Sequence, residues 1–231
     1  MKKIMVLILL FSCLQQAAVF AQEAVLPPAE FEKNIQTVQP QLLDVRTARE
    51  YQSSHLKNAL QADWLNPQQF ADRTQYLDKS KPVYVYCASG ARSAEAAKWL
   101  LSKGFNNVQN LKGGISAWKM EGRSVEAVNS ETQMTLSKYT ELSRSADIVL
   151  VDVGAEWCPP CKKMEPVLKQ LQEEVGGRFS LVKVDGGIDI EVMKSLKVEG
   201  IPVFIVYKNG KEVWRKSGVV ELNELKTKLL Q

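Results

Sequence analysis

Trp157-Cys158-Pro159-Pro160-Cys161-Lys162 sets two cysteines two residues apart near the front of the second half of the chain. Such a pair either closes a strained, reversible disulfide or contributes to a soft-metal site. The flanks discriminate. The apolar run Ile148–Val153 leads in with the composition of a buried strand. Beyond the motif, Met164, Val167, Leu168, Leu171 and Val175 recur at the spacing of one helix face. Cys158 is therefore expected at a strand-to-helix turn, its sulfur beside the helix N-terminus. Unpaired N–H groups and the positive end of the macrodipole favour a thiolate there. Sites of this kind lower a thiol pKa from about 8.5 into roughly the 3.5–7.5 range. Cys161, one turn in, is expected to be the more buried thiol and to act as the resolving one. Zinc normally takes four ligands; the single histidine, His55, is far away in sequence and no second C-x-x-C exists. The pattern therefore implies neither a metal site nor a bound cofactor.

The surrounding residues extend the pattern. Asp152 precedes Cys158 by six positions, and Lys183 lies in the strand-like Phe179–Asp185. Pro166 falls inside the expected helix, and Gly200-Ile201-Pro202 precedes the apolar run Val203–Tyr207. That run, the turn Lys208-Asn209-Gly210 and Glu212–Ser217 form a hairpin pattern, followed by an amphipathic helix with Leu222, Leu225 and Leu229. In this order, over about a hundred residues, an ordinary domain length, these features resemble the thioredoxin family. The resemblance implies that Cys158 and Cys161 form a redox-active disulfide. It makes Asp152 the buried acid that moves the resolving thiol's proton, with Lys183 beside it. It also makes Ile201-Pro202 a cis-proline turn whose backbone pairs with an extended substrate. Two departures stand out: Pro159 replaces the commonest Gly, and Gly154 replaces a bulky aromatic. The residues between the cysteines help set redox poise, so potential and direction do not follow from the resemblance. The Trp-Cys-Pro-Pro-Cys form resembles reducing extracytoplasmic thioredoxins.

With 231 residues the chain has room for two modest domains. A formal charge of +4, two units of it from Lys2 and Lys3, is too small to argue for nucleic acid. Met1-Lys2-Lys3 and the apolar Ile4–Phe11 have the pattern of a secretory signal, with cleavage expected after Ala21. The alternative is a lipoprotein signal anchored through Cys13. Either places the protein outside the cytoplasm, in a bacterial periplasm. Loss of Cys13 leaves Cys87, Cys158 and Cys161, an odd number in an oxidising compartment. Cys87 is then a candidate reactive thiol.

In the first half, Ala24 to Asn34 reads as a short approach containing Pro27-Pro28. Gln41–Arg46 reads as a buried strand running into a polar loop. Val83–Tyr86 is a second strand ending at Cys87. Ala88-Ser89-Gly90-Ala91-Arg92 follows, and Ser93 is expected to cap a helix with Ala97, Leu100 and Leu101 that stops at Gly104. Another strand, Val108–Leu111, completes an α/β unit with a parallel sheet. Asp44-Val45-Arg46, the His55 segment, Cys87-x-x-Gly90-x-Arg92 and Leu111-x-Gly113-Gly114-x-x-Ala117-Trp118 together resemble the rhodanese family. A loop closing onto a helix N-terminus aims N–H groups inward as an anion nest around Cys87. Arg92 adds positive charge, and Gly90 permits a φ or close approach that other residues resist. Such a cradle suits a thiolate, then an anionic donor such as thiosulfate, then a persulfide. The C-x4-R loop is one residue shorter than that of cysteine phosphatases, a size for sulfur transfer. His55 is expected to be a structural hydrogen-bonding residue, and Asp44 and Arg46 to be architectural. Ser54 and Asn58 stand where that family usually has Gly. Trp64, Trp99 and Trp118 are assigned to core packing.

The expected organisation is a leader (1–21), a rhodanese-like parallel-sheet α/β domain (22–123), a polar linker (124–134) and a thioredoxin-like mixed-sheet α/β domain (135–231). The first helix of the last would span Thr135–Ser143. The expected function is an extracytoplasmic thiol–disulfide oxidoreductase coupled to sulfur transfer. Cys87 would carry a persulfide from a sulfane-sulfur donor, and Cys158 and Cys161 would reduce it or other disulfides. Expected partners are thiosulfate or a similar donor, protein disulfides and a membrane electron-donating reductase, with no nucleic acid. The alternative is a general periplasmic disulfide reductase whose first half is a docking module.

Overall fold

The computed structural model describes residues 22–127 and 133–231. The expected leader with Cys13, and residues 128–132 of the expected linker, lie outside the described residues.

The first half runs β1 (Gln22–Leu26), α1 (Pro28–Val38), β2 (Gln41–Asp44), α2 (Ala48–Ser53), β3 (Leu60–Gln61), α3 (Pro67–Thr74), β4 (Val83–Tyr86), α4 (Ala91–Ser102), β5 (Asn107–Leu111) and α5 (Gly114–Met120). Its strands form one parallel sheet in the order β1-β5-β4-β2-β3. The central strand β4 is buried on both faces, as parallel strands under helices are. Its alternation divides the core: Tyr84 and Tyr86 pack with Phe31, Leu111 and Trp118, while Val83 and Val85 pack with Phe70, Ala97 and Leu100. The segment expected as a mere approach is instead two elements. Gln22–Leu26 adds an edge strand in register with β5. Pro28 opens α1 at a position where a missing N–H costs nothing.

The second half runs α6 (Leu136–Leu142), β6 (Ile148–Gly154), α7 (Pro159–Val175), β7 (Ser180–Asp185), α8 (Ile190–Ser195), β8 (Val203–Lys208), β9 (Lys211–Ser217) and α9 (Leu222–Leu230). The sheet is mixed, ordered β7-β6-β8-β9, with β6 and β7 parallel and the other pairs antiparallel. Asn209 and Gly210, at φ 49° and 73°, make the tight turn between β8 and β9. Pro166 lies within α7.

The halves meet at the free edge of the first sheet. β3 is two residues long, and the Gln61 N–H donates to the Trp157 carbonyl at 2.8 Å. The Trp157 ring lies 5.8 Å from the Tyr51 ring, with the Arg73 guanidinium 5.1 Å from its centroid. Trp157 and Cys158 share a buried cluster with Tyr51, Leu56 and Ala59. Gln52 Nε2 adds a bond of 2.8 Å to the Gly187 carbonyl.

Within the first half, the start of α5 holds the loop after β4. Ile115 N–H donates to the Cys87 carbonyl at 2.9 Å and Ser116 N–H to the Ala88 carbonyl at 3.1 Å. Gly114 has φ +58°, and a Cβ there would stand 2.6 Å from the Ala88 carbonyl oxygen and closer still to that of Cys87. Gly114→Ala is therefore expected to destabilise the protein by about 2–3 kcal/mol, from backbone strain and displacement of this loop. A lowered urea midpoint checks this; an unchanged one would show that the loop is free to move.

Candidate active site

Cys87 follows β4 and is 1% exposed. Its sulfur accepts hydrogen bonds from the Gly90 N–H at 3.1 Å and the Ser93 hydroxyl at 3.4 Å. Gly90, at φ +96°, is the N-cap of α4. Ser93 therefore does not cap the helix as expected; it lies one turn in, its hydroxyl turned to Cys87 Sγ and to the Gly90 carbonyl. The glycine supplies the left-handed turn that starts the helix, which releases the serine for the thiol. Burial pushes the Cys87 thiol up. The Ser93 hydroxyl and the backbone N–H groups of Ser93, Ser89 and Gly90 outweigh it and hold the thiol below its ordinary pKa.

Arg92 meets the nest already paired. Its guanidinium grips Glu50 with two bonds of 3.0 and 2.6 Å, and this, against a smaller opposing effect of burial, holds the Glu50 carboxyl down at about 2. Sequence reading missed Glu50. Thr47-x-x-Glu50 is a capping-box pattern, and the box forms at the start of α2, but nothing local points to Arg92, 42 residues away. An anion entering the nest meets this carboxylate as well as the guanidinium.

Asp44 and Arg46 are both buried and paired side by side, and Arg46 Nη2 also donates to the Ser54 carbonyl at 2.6 Å. Together they tie the end of β2 to the His55 segment. His55 Nδ1 lies 2.9 Å from the Tyr51 carbonyl, with the ring stacked on Tyr51 at 3.9 Å. Asn58 takes up φ +60°, whereas Ser54 is extended.

In the second half Cys158 and Cys161 are joined in a disulfide, their Cα atoms 5.2 Å apart. Cys158 is the N-cap of α7, with Pro159 as the first helical residue. Its sulfur lies 3.8 Å from the Ile201 carbonyl oxygen, next to the cis Ile201–Pro202 bond. The expected order of burial is reversed: Cys158 is 0% exposed, and Cys161 is only partly buried. Two causes combine. The first half packs over Cys158 through Trp157. On the other side Gly154 offers no side chain to cover Cys161; a Cβ there would stand 3.5 Å from Cys161 Sγ and 3.3 Å from Asp152 Oδ1. Asp152 and Lys183 face each other as partners across β6 and β7. Burial raises the Asp152 carboxyl to about 6, opposed by Lys183 and aided by Glu165.

The expected site residues thus form two groups: Cys87 with Gly90 and Arg92, and Cys158 and Cys161 with Asp152, Lys183, Ile201 and Pro202. Both sit on one rim. Tyr86, Asp44 and Gln61 are successive partners across β4, β2 and β3, and Gln61 bonds Trp157. At about 4.8 Å per step, Cys87 and Cys158 follow backbone positions roughly 14 Å apart.

Two expectations follow for these groups. In a protein carrying Cys158→Ser and Cys161→Ser, thiolate absorbance at 240 nm should titrate below the ordinary thiol value, and Ser93→Ala should move the midpoint upward. An unmoved midpoint would take the hydroxyl out of the account. For Asp152, the folded chain keeps the proton up to about 6, against an ordinary 3.8. Between these values the folded state binds more protons, so this stabilisation is complete below 3.8 and lost as pH rises through 6. Relative to Asp152→Asn, the wild type should lose on the order of 3 kcal/mol between pH 3.5 and 7.5; parallel urea midpoints across that span would contradict this.

The comparisons with known proteins agree with both halves. The rhodanese-like domain model matches residues 27–121 and the thioredoxin model residues 130–231. The chain is 32% identical over 92 residues to Thioredoxin 1 of Chlorobaculum tepidum, covering 39% of this chain and 91% of that protein. It is 38% identical over 84 residues to Thioredoxin of Bacillus subtilis, covering 35% and 81%. With Thioredoxin Y of rice chloroplasts (Oryza sativa subsp. japonica) it shares 36% over 94 residues, 40% of this chain, and spans just 56% of that relative. The chain belongs to the thioredoxin family and joins a rhodanese-like domain to its thioredoxin domain, a combination that supports redox and sulfurtransferase-type activity in general.

Proposed function

We propose that the protein is an extracytoplasmic thiol–disulfide oxidoreductase coupled to sulfur transfer. The observation that carries this reading is the placing of two thiolate-favouring sites, Cys87 in its nest and Cys158 at the start of α7, on one rim of one chain. The Cys87 thiolate attacks the sulfane sulfur of a donor such as thiosulfate, releasing sulfite and leaving a persulfide. The reduced Cys158 thiolate takes the outer sulfur, which regenerates the Cys87 thiolate. Cys161 then attacks Cys158 Sγ, closes the disulfide and expels hydrosulfide. The dithiol supplies the two electrons that reduce the sulfur atom, and a membrane electron-donating reductase restores the pair.

Roughly 14 Å of backbone separation and the burial of Cys158 mean that hand-off requires the contact between the halves to open. Fusion keeps the local concentration of one site at the other high whenever it does. Location outside the cytoplasm rests on the charged-then-apolar N-terminus. A second reading, a disulfide reductase with a docking first half, draws support from the Arg92–Glu50 pair, which ties up the cation of the nest.

Intact-protein mass spectrometry of the reduced protein after thiosulfate exposure separates the two. One added sulfur on Cys87 that persists in Cys158→Ser and is discharged in the wild type is the expected result. No gain in either protein would reduce the first half to a binding module; discharge at the wild-type rate in Cys158→Ser would sink the hand-off.

A further inference from the structure

Beside the disulfide lies a cavity of about 440 Å³, lined by residues of the second half. Cys161, Asp152, Gly154, Leu168 and Leu181 are among its lining residues. Cys158 does not line it. The cavity exists at that point because Gly154 has no side chain: even a methyl group would stand in contact with Cys161 Sγ at 3.5 Å. Five acidic side chains, the exposed Glu156 and Glu165 among them, line it against Lys169 and Lys183, and Lys162 Nζ lies 2.9 Å from Glu165 Oε1, which leaves the lining net acidic.

We propose that, while the halves are in contact, small thiols reduce the disulfide through this cavity by attacking Cys161, and that the cavity selects neutral or cationic thiols over anionic ones. The proposal rests on the reading of Cys158 and Cys161 as a working redox pair, and adds a route of entry and a class of reductant. A thiolate R–S⁻ attacks Cys161 Sγ. The Cys158–Cys161 bond breaks, and the pair of electrons leaves on Cys158, a sulfur at the positive end of α7. The start of α7 favours negative charge on the departing Cys158 sulfur, and Cys161 is the sulfur that lines the cavity. A second thiolate attacks the R sulfur of the mixed disulfide, releasing R–S–S–R and the Cys161 thiolate, which takes a proton from water. Two thiols have then supplied two electrons. Attack at Cys158 from outside is blocked in this arrangement by the packing of Tyr51, Leu56 and Ala59 with Trp157 and Cys158. The acidic lining repels thiols that carry a carboxylate and attracts those that carry an ammonium group.

Labelling of a lone cysteine by R–S–S–R is the reverse of the second exchange, the attack of R–S⁻ on the mixed disulfide, so single-cysteine variants of the full chain report which of the two sulfurs a small thiol can reach. Cys158→Ser and Cys161→Ser proteins are treated with cystamine, bis(2-hydroxyethyl) disulfide and dithiodipropionate, which are cationic, neutral and anionic. Adducts are located by peptide mass. Cys161 should be labelled faster than Cys158, with cystamine ahead of dithiodipropionate by at least about tenfold. Gly154→Val in the Cys158→Ser background should slow labelling by a similar factor. Glu156→Gln with Glu165→Gln, both at exposed positions, should compress the charge order, and does not depend on how the valine variant folds. Faster labelling of Cys158, or a Cys161 rate indifferent to Gly154→Val, overturns the route. Equal rates for the three reagents overturn the class of thiol. Insulin reduction by the wild type distinguishes the two levels: if it persists while Cys161 stays unlabelled, only this proposal fails, and if it is absent the redox reading fails too.

Discussion

The arrangement of this molecule depends on one backbone hydrogen bond, from Gln61 N–H to the Trp157 carbonyl. A sheet edge presents unpaired donors and acceptors that seek a partner. Here the edge strand is two residues long, and the loop that carries the disulfide takes the place of a neighbouring strand. Side chains reinforce the position. Gln61 Nε2 donates to the Arg46 carbonyl at 2.6 Å, Arg73 donates to the Gln61 side chain and carbonyl, and Arg73 lies over Trp157. Burial lowers Arg73 to about 10, so it remains charged at neutral pH. Its charge is met by two oxygens and an aromatic face, an arrangement that desolvation strengthens. The line from Asp44 through Arg46, Gln61 and Arg73 to Trp157 therefore runs from the strand partner of Tyr86, which precedes Cys87, to the residue that precedes Cys158.

Each site solves the same problem, how to favour a sulfur anion inside a packed protein, with a different balance. Around Cys87 the burial penalty is overcome by the Ser93 hydroxyl and a run of N–H groups, which the left-handed turn at Gly90 aims inward. Around Cys158 the start of a 17-residue helix supplies the dipole, and proline at its first position leaves one fewer unpaired donor. The cationic Arg92 contributes less than its position in the loop suggests, because Glu50 already neutralises it. Around Cys87 a hydroxyl and backbone N–H dipoles, rather than a full charge on a side chain, outweigh burial.

Much of this was legible in the residues. Apolar periodicity located β4, β6, α7 and the β8–β9 hairpin, and motif spacing assigned both halves to their families. The failures share a physical cause. β1 escapes a local reading because the short run Gln22–Leu26 becomes a strand only by pairing with β5, some 85 positions later. Glu50 gave a local capping signal that was true but incomplete, since its tie to Arg92 is a product of tertiary folding. Ser93 lost the capping role to Gly90, whose positive φ moves the helix start forward. The burial of Cys158 beneath Tyr51 and Leu56 depends on contacts about a hundred residues apart, beyond any local pattern. Gly154 is a departure legible in the sequence, yet its effect on Cys161 emerges only once β6 and α7 stand side by side.

Because Trp157 and Cys158 are covered by a segment of their own chain, the first half acts towards outside substrates as a competitor that dilution cannot remove. A tethered occupant has an effective concentration that can reach the millimolar range, the same in a crowded cell as in a dilute buffer. Any protein seeking Cys158 must displace that standing competitor, which weakens every outside affinity by the same factor. Weak, indiscriminate encounters are screened out by the chain's own geometry, while reagents small enough for the cavity behind Cys161 are exempt from the contest.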